Sequence, residues 1–167
     1  MGCRSIVKVV AGACLNSRKV LVVDDDAGMR EVLEAALAAE NVEVYTSMDG
    51  KDAVQKTLAF KPDLILLDVN MPNLNGLTFC KAIRRGSETK NIPVIIITGL
   101  TARGRVEECM AAGADDFLGK PFGVEELLIR VRAMFKTSHI ADRAERVNQY
   151  ILTMREMRKH PDGDSKP

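Results

Sequence analysis

Three short runs contain no polar residue: VLVV at 20–23, LILL at 64–67 and VIII at 94–97. A strand with one face in water alternates apolar and polar residues, whereas an unbroken apolar run is covered on both faces. The runs are short and rich in branched side chains, which suits the middle of a parallel sheet. VEVY (42–45) and DDFL (115–118) are shorter strand candidates. Helical patterns lie between them. Residues 27–40 place Met29, Val32, Leu33, Ala36 and Leu37 on one stripe. Segments 50–60 and 75–86 follow, the latter stopped by Gly86, and 103–112 and 123–136 complete the series. Strand and helix thus alternate five times over 20–136, which implies a parallel α/β sheet with right-handed crossovers.

In an open sheet of this kind, ligands bind beyond the carboxyl ends of the strands. Asp24 and Asp25 follow the first strand, and Asp68 follows the third. Thr98 and then Gly99 follow the fourth, and Lys120-Pro121 comes after the fifth, past Gly119. Taken singly, an Asp at such a place is usually a helix cap or turn residue, and a Lys is solvated surface. Together they bring three carboxylates, a hydroxyl and an ammonium to one rim. Clustered carboxylates repel unless a cation neutralises them. An oxygen-only, partly open site suits Mg²⁺, which commonly bridges carboxylate to phosphate. The hydroxyl and the ammonium are the donors that phosphoryl oxygens need. The strand ends therefore read as a cation site built for phosphoryl chemistry. Asp26, the third acid in the run, reads as the cap of the following helix.

Four blocks carry a resemblance: VLVVDDD, DLILLDVNMPNLNG (63–76), PVIIITG (93–99) and AGADDFLGKPF (112–122). In this order and spacing they resemble the receiver domain of two-component response regulators, similar to the single-domain chemotaxis receivers. The resemblance covers about 19 to 136 of the chain. It implies a doubly wound, five-stranded parallel sheet of flavodoxin-like (βα)5 type, here with an additional C-terminal helix. It also implies that Asp68 accepts a phosphoryl group from a histidine kinase or a histidine phosphotransfer protein. Asp25 and Asp68 would hold Mg²⁺ through their side chains, Asn70 through its backbone carbonyl, and Asp24 through a water. Thr98 would hydrogen-bond the phosphoryl oxygen. Lys120 would pair with the carboxylate and then with the phosphoryl group, across a cis Lys120-Pro121 bond. Pro72 and Gly76 would shape the loop after the acceptor. Phe117 stands where the family's switch aromatic sits; without a hydroxyl it packs but cannot hydrogen-bond outward. Leu100 would flank the water approach and slow hydrolysis of the acyl phosphate. Apart from accepting and slowly losing the phosphoryl group, such a module is not an enzyme; it switches partner binding or self-association.

With 167 residues the chain holds one domain with tails: a leader at 1–18, the receiver at 19–136, and a helical extension with a disordered end at 137–167. The net charge of +1 argues against nucleic-acid binding driven by bulk charge. Cys3, Cys14, Cys80 and Cys109 show neither metal-ligand spacing nor a disulfide framework, and they read as reduced thiols of a cytoplasmic protein. Cys80 and Cys109 fall at core positions of helices. His139 and His160 lack ligand-spaced partners and read as solvated. The opening MGCRSIVKVVAGACLNSRK has a faint signal-like shape, but Lys8 interrupts its short apolar run. Ile6 breaks the myristoylation pattern, so the segment reads as an unstructured leader or misassigned start. No apolar run approaches the roughly 20 residues of a membrane span.

The extension SHIADRAERVNQYILTMREMRK (138–159) spaces Ile140, Ala144, Val147, Ile151 and Met154 as a heptad seam, and the closing HPDGDSKP is polar. Three roles are open for it: folding back on its own receiver, pairing with a second copy as a homodimer, or linking to an output module of a longer regulator. Dimerisation or docking is the favoured expectation. Two rivals for the whole chain are weaker. A dehalogenase-type Mg²⁺-dependent aspartyl-phosphate phosphohydrolase wants Asp two residues after its nucleophile, where Asn70 stands. A degenerate scaffold would not keep the full acid, Thr and Lys set. Gly99 to Gly104 precedes Arg105-Val106 and lacks the Lys-Ser/Thr of a phosphate-binding loop.

Overall fold

The computed structural model describes residues 17–71, 75–99 and 103–159. The expected leader up to residue 16, Pro72, Leu100, His160 and the polar end of the chain lie outside the described residues. The elements run β1 (Arg18–Val23), α1 (Ala27–Leu37), β2 (Val42–Ser47), α2 (Gly50–Phe60), β3 (Leu64–Leu67), α3 (Gly76–Arg85), β4 (Val94–Thr98), α4 (Arg103–Ala112), β5 (Asp116–Gly119), α5 (Val124–Thr137) and α6 (Arg143–Lys159). All five strands are parallel, in the order β2-β1-β3-β4-β5. The three unbroken apolar runs form the three central strands, and the mixed runs form the edges. That is the division which burial on both faces requires.

Alternate strand residues face opposite layers. Val20, Val22, Leu64, Leu66, Ile95 and Ile97 pack against Leu33 and Leu37 of α1 and Leu127, Val131 and Met134 of α5. Leu21, Val23, Ile65, Leu67 and Ile96 pack against Ala53 of α2, Phe79, Cys80 and Ile83 of α3, and Cys109 of α4. The two cysteines are therefore core residues, and burial pushes the Cys80 thiol up to about 11. Among the described residues no helix is long and apolar enough to cross a membrane.

Some boundaries depart from the sequence reading. The first helix ends at Leu37 instead of 40, and Asn41 turns the chain into β2 with a left-handed φ of 50°. Val32 lies outside the buried stripe and is exposed. Asp115 is not part of the fifth strand. Its N–H donates to Val94 O (2.8 Å) and its carboxylate accepts from Val94 N (2.9 Å), so it fastens the start of β4 before β5 begins.

The extension forms α6, but not with the expected seam. Of the expected seam Met154 is buried, but Ala144 is exposed and Ile151 is 41% exposed, and the other buried residues are Arg146 and Tyr150. The helix lies on its own receiver, antiparallel to α5, with Tyr150 and Met154 in the layer that contains α5 and Met157 packed against it. Polar seats turn the helix to this face. Arg146 Nη2 donates to Asp115 Oδ1 (3.1 Å), Arg143 Nε does the same (3.1 Å), and the Tyr150 hydroxyl donates to Asp116 Oδ2. Near its far end Arg158 reaches Glu126 in the first turn of α5 (2.5 Å). An apolar count passes over a buried arginine and tyrosine, which is why the seam was misplaced.

Candidate functional site at the carboxyl ends of the strands

Register brings the acids together. Val23 pairs with Leu67, so the residues that follow, Asp24 and Asp68, leave the sheet side by side, and Asp68 N donates to Val23 O (2.8 Å). Thr98 pairs with Gly119, so Lys120 enters from the next strand over, its N–H held by Thr98 O (2.8 Å). The Lys120-Pro121 peptide bond is cis, as the sequence reading expected.

Asp24 and Asp68 are 2% and 5% exposed and Thr98 is 1% exposed, while Asp25 is open to solvent. One oxygen from each of Asp24, Asp25 and Asp68 lies within 4.8 Å of the others. Lys120 Nζ sits between the two buried acids, at 2.8 Å from Asp24 Oδ2 and 3.4 Å from Asp68 Oδ1. The lysine therefore engages Asp24 more closely than the expected acceptor. Asn70 N donates to Asp68 Oδ2 (2.9 Å), and the Asn70 amide reaches Thr98 Oγ1 at 3.5 Å. The side chain of Asp26 caps α1 by accepting from Gly28 N (2.8 Å) and Met29 N (3.3 Å). The third acid of the run thus belongs to the helix, as its position suggested.

Burial is the main cause that raises the Asp68 carboxyl above its ordinary range, with the Asp24 charge adding to it and Lys120 opposing it. At Lys120 burial works against the charge, but the bond to Asp24 and the attraction of Asp68 prevail, and its pKa is raised. The two buried carboxylates thus share one ammonium, with Asp25 beside them. The oxygens of all three span nearly what one octahedral Mg²⁺ needs, since donors about 2.1 Å from the ion stand at most about 4.2 Å apart. The all-oxygen donor set fits that ion.

Glycine is required at the start of α3. A Cβ on Gly76 would meet Asp68 O at 2.3 Å and Val69 Cα at 2.9 Å, so only glycine lets the helix begin against the loop after Asp68. Phe117 is half-buried on β5 and packs against the layer of α3 and α4. One contributor escaped the sequence reading. Arg30 Nη1 donates to Asp24 O (2.7 Å) and Asp25 O (3.1 Å). Its signal was an arginine one turn after the capping aspartate.

A family model described as the response regulator receiver domain matches residues 20–132. Among curated proteins, response regulator MprA of Mycobacterium avium is 42% identical over 132 residues, 77% of this chain and 56% of MprA. Response regulator PleD of Caulobacter vibrioides is 41% identical over 126 residues, 75% of this chain and 28% of PleD. The chain thus spans about a quarter to just over half of these relatives' length. Among solved structures, the chemotaxis response regulator CheY4 of Vibrio cholerae superposes with a TM-score of 0.68 at 36% identity, covering 71% of this chain and 99% of CheY4. The BeF3-activated receiver domain of DrrB superposes with a TM-score of 0.66 at 30% identity, covering 72% of this chain and 99% of that one.

Proposed function

This chain belongs to the response regulator receiver domain family, and on that premise we propose that Asp68 accepts a phosphoryl group in a Mg²⁺-dependent transfer. The donor is a phosphohistidine on a histidine kinase or phosphotransfer protein. The observation that carries this reading is the meeting of two buried acids and one open acid around a single lysine. An Asp68 oxygen attacks phosphorus, the new O–P bond forms as the P–N bond to the donor histidine breaks, and the imidazole leaves. Bound Mg²⁺ would neutralise charge shared between Asp24, Asp25, Asp68 and the incoming oxygens, with Asn70 offering its carbonyl. Lys120, already between the acids, is placed to follow the charge onto the phosphoryl group. Thr98, on the strand next to the one that Asp68 follows, supplies its buried hydroxyl.

Once the phosphoryl group is in place, Thr98 and the half-buried Phe117 on β5 are the elements whose rearrangement would favour an active state and change partner binding. Self-association is a second form that this output could take. With Tyr150 and Met154 seated on the receiver, a homodimer through α6 would have to use its outer face, where Ile151 and Leu152 are exposed.

A phosphoryl mimic tests the reading. Beryllofluoride with Mg²⁺, added to the full chain, should shift the amide resonances of Asn70, Thr98 and Lys120 in wild type and leave Asp68→Asn unchanged. Shifts of the same size in the variant, or none in wild type, would sink it.

A further inference from the structure

We infer that Arg30 is a positioning residue that holds the Asp24–Asp25 pair in its cation-binding geometry, an inference that rests on the reading of the acids as a Mg²⁺ site. The acid pair lies between two hydrogen-bonded elements and belongs to neither. β1 ends at Val23, whose carbonyl accepts from Asp68 N. The ladder of α1 starts at Asp26, whose carbonyl accepts from Arg30 N (3.1 Å). The carbonyls of Asp24 and Asp25 are left over. A single nitrogen, Arg30 Nη1, takes both, at 2.7 and 3.1 Å.

For Asp24 this bond is one of several constraints. Its N–H donates to Ser47 O (3.1 Å), and its carboxylate accepts from Asp26 N (2.9 Å) and from Lys120. The carboxylate of Asp25 is exposed instead, and the guanidinium fixes the peptide unit from which it projects. Helix energetics do not explain the arginine. It sits in the first turn of α1, where the dipole disfavours a cation. Surface solvation does not explain it either, since the residue is only half-exposed and its head turns back onto the backbone. Its contacts account for it: outer groups that orient metal ligands commonly change metal affinity by about 10- to 100-fold.

The two physical effects of the arginine on a cation oppose each other, which makes the test decisive. As a charge, Arg30 repels Mg²⁺, so deleting it by charge alone should tighten binding. As a positioner, it lowers the cost of ordering Asp25, so deleting it should weaken binding. Calorimetric titration of Mg²⁺ into the full chain would be run on wild type, Arg30→Ala, Arg30→Lys and Asp25→Asn, with thermal melts in cation-free buffer to confirm folding. The expected result is a Kd raised about 10-fold or more in Arg30→Ala, largely recovered in Arg30→Lys, whose ammonium can still reach the carbonyls. Cation-free melting should stay near wild type. An Arg30→Ala Kd equal to or below wild type overturns the inference, and so does a loss that lysine fails to recover. If wild type and Asp25→Asn bind Mg²⁺ alike or not at all, the reading of the acids as a cation site fails, independently of Arg30.

Discussion

The two ends of β5 treat buried acids in opposite ways. At its carboxyl end, among the described residues, Asp24 and Asp68 share the ammonium of Lys120, Asp25 stands beside them open to solvent, and the Arg30 guanidinium is taken up by backbone carbonyls. At its amino end two carboxylates face four guanidiniums. Asp115 bonds Arg84 (2.7 Å), Arg143 (3.1 Å) and Arg146 (3.1 Å), while Asp116 bonds Arg130 and Tyr150. Around Asp115 the guanidiniums outnumber the acid, and carbonyls take up most of the spare donors, with the buried Arg146 Nε left unpartnered. Arg84 also donates to the oxygens of Gly113, Lys90 and Ile92, and Arg146 to that of Asn91. At the carboxyl end, among the described residues, the carboxylates outnumber the side-chain cations that bond them. A cluster whose acids are fully paired locks elements together, and one whose acids outnumber its cations is electrostatically open to a further positive charge.

The largest expected effect lies at the amino end. Asp115→Ala would leave Arg146, 1% exposed, and the half-buried Arg84 without their carboxylate, at a cost of about 3–5 kcal/mol. Arg143→Gln should cost about 1 kcal/mol or less, because that side chain is over a third exposed and two arginines remain. Urea melts of the two variants measure the asymmetry; equal losses would mean that the cluster is not organised around its acid. Next comes the face of α6. Met154→Ala should cost about 2–3 kcal/mol, while Ile151→Ala should stay within about 0.5 kcal/mol. The reverse order would contradict the seating of α6 on its receiver through the face of Tyr150 and Met154. Tyr150→Phe removes one hydrogen bond to an acid that keeps Arg130, and about 1–1.5 kcal/mol should be lost.

The smallest effect should have the opposite sign. Burial, with Asp24, holds the Asp68 carboxyl above its ordinary range despite Lys120. Between the ordinary and the raised value, the folded state keeps a proton that the unfolded state has lost. Stability therefore falls as pH rises through that window. Asp68→Asn should match wild type at acid pH, become the more stable of the two as pH crosses the window, and stay so at neutral pH in cation-free buffer. Added Mg²⁺ should raise the melting temperature of wild type and not of the variant. A variant less stable than wild type at neutral pH would show that the carboxyl end is as well compensated as the amino end.

The carboxyl end was the legible one. Asp24, Asp68 and Thr98 stand at the ends of runs with no polar interruption, so their position on one rim comes directly from strand periodicity and the rule for parallel sheets, and Lys120 joins them from the mixed fifth strand. The Asp26 cap was readable for a similarly local reason, whereas the cis bond before Pro121 followed from the family resemblance alone. The amino end was not. Asp115 looked like strand, and Arg143, Arg146 and Tyr150 are not residues of the expected seam. Their partners are 28 to 34 residues away, and nothing in local periodicity marks a charged residue that will be buried by long-range pairing. Arg30 escaped for a related reason: its function lies in two backbone carbonyls, which no side-chain pattern displays.

The most direct test of the central claim is the intact mass of the full chain after incubation with a small acyl phosphate donor, with and without Mg²⁺, alongside Asp68→Asn. The account predicts a mass gain of one phosphoryl group in wild type that requires Mg²⁺ during the incubation, is prevented when a chelator is present from the start, and is absent in the variant. No gain in wild type, or an equal gain in Asp68→Asn, would contradict it.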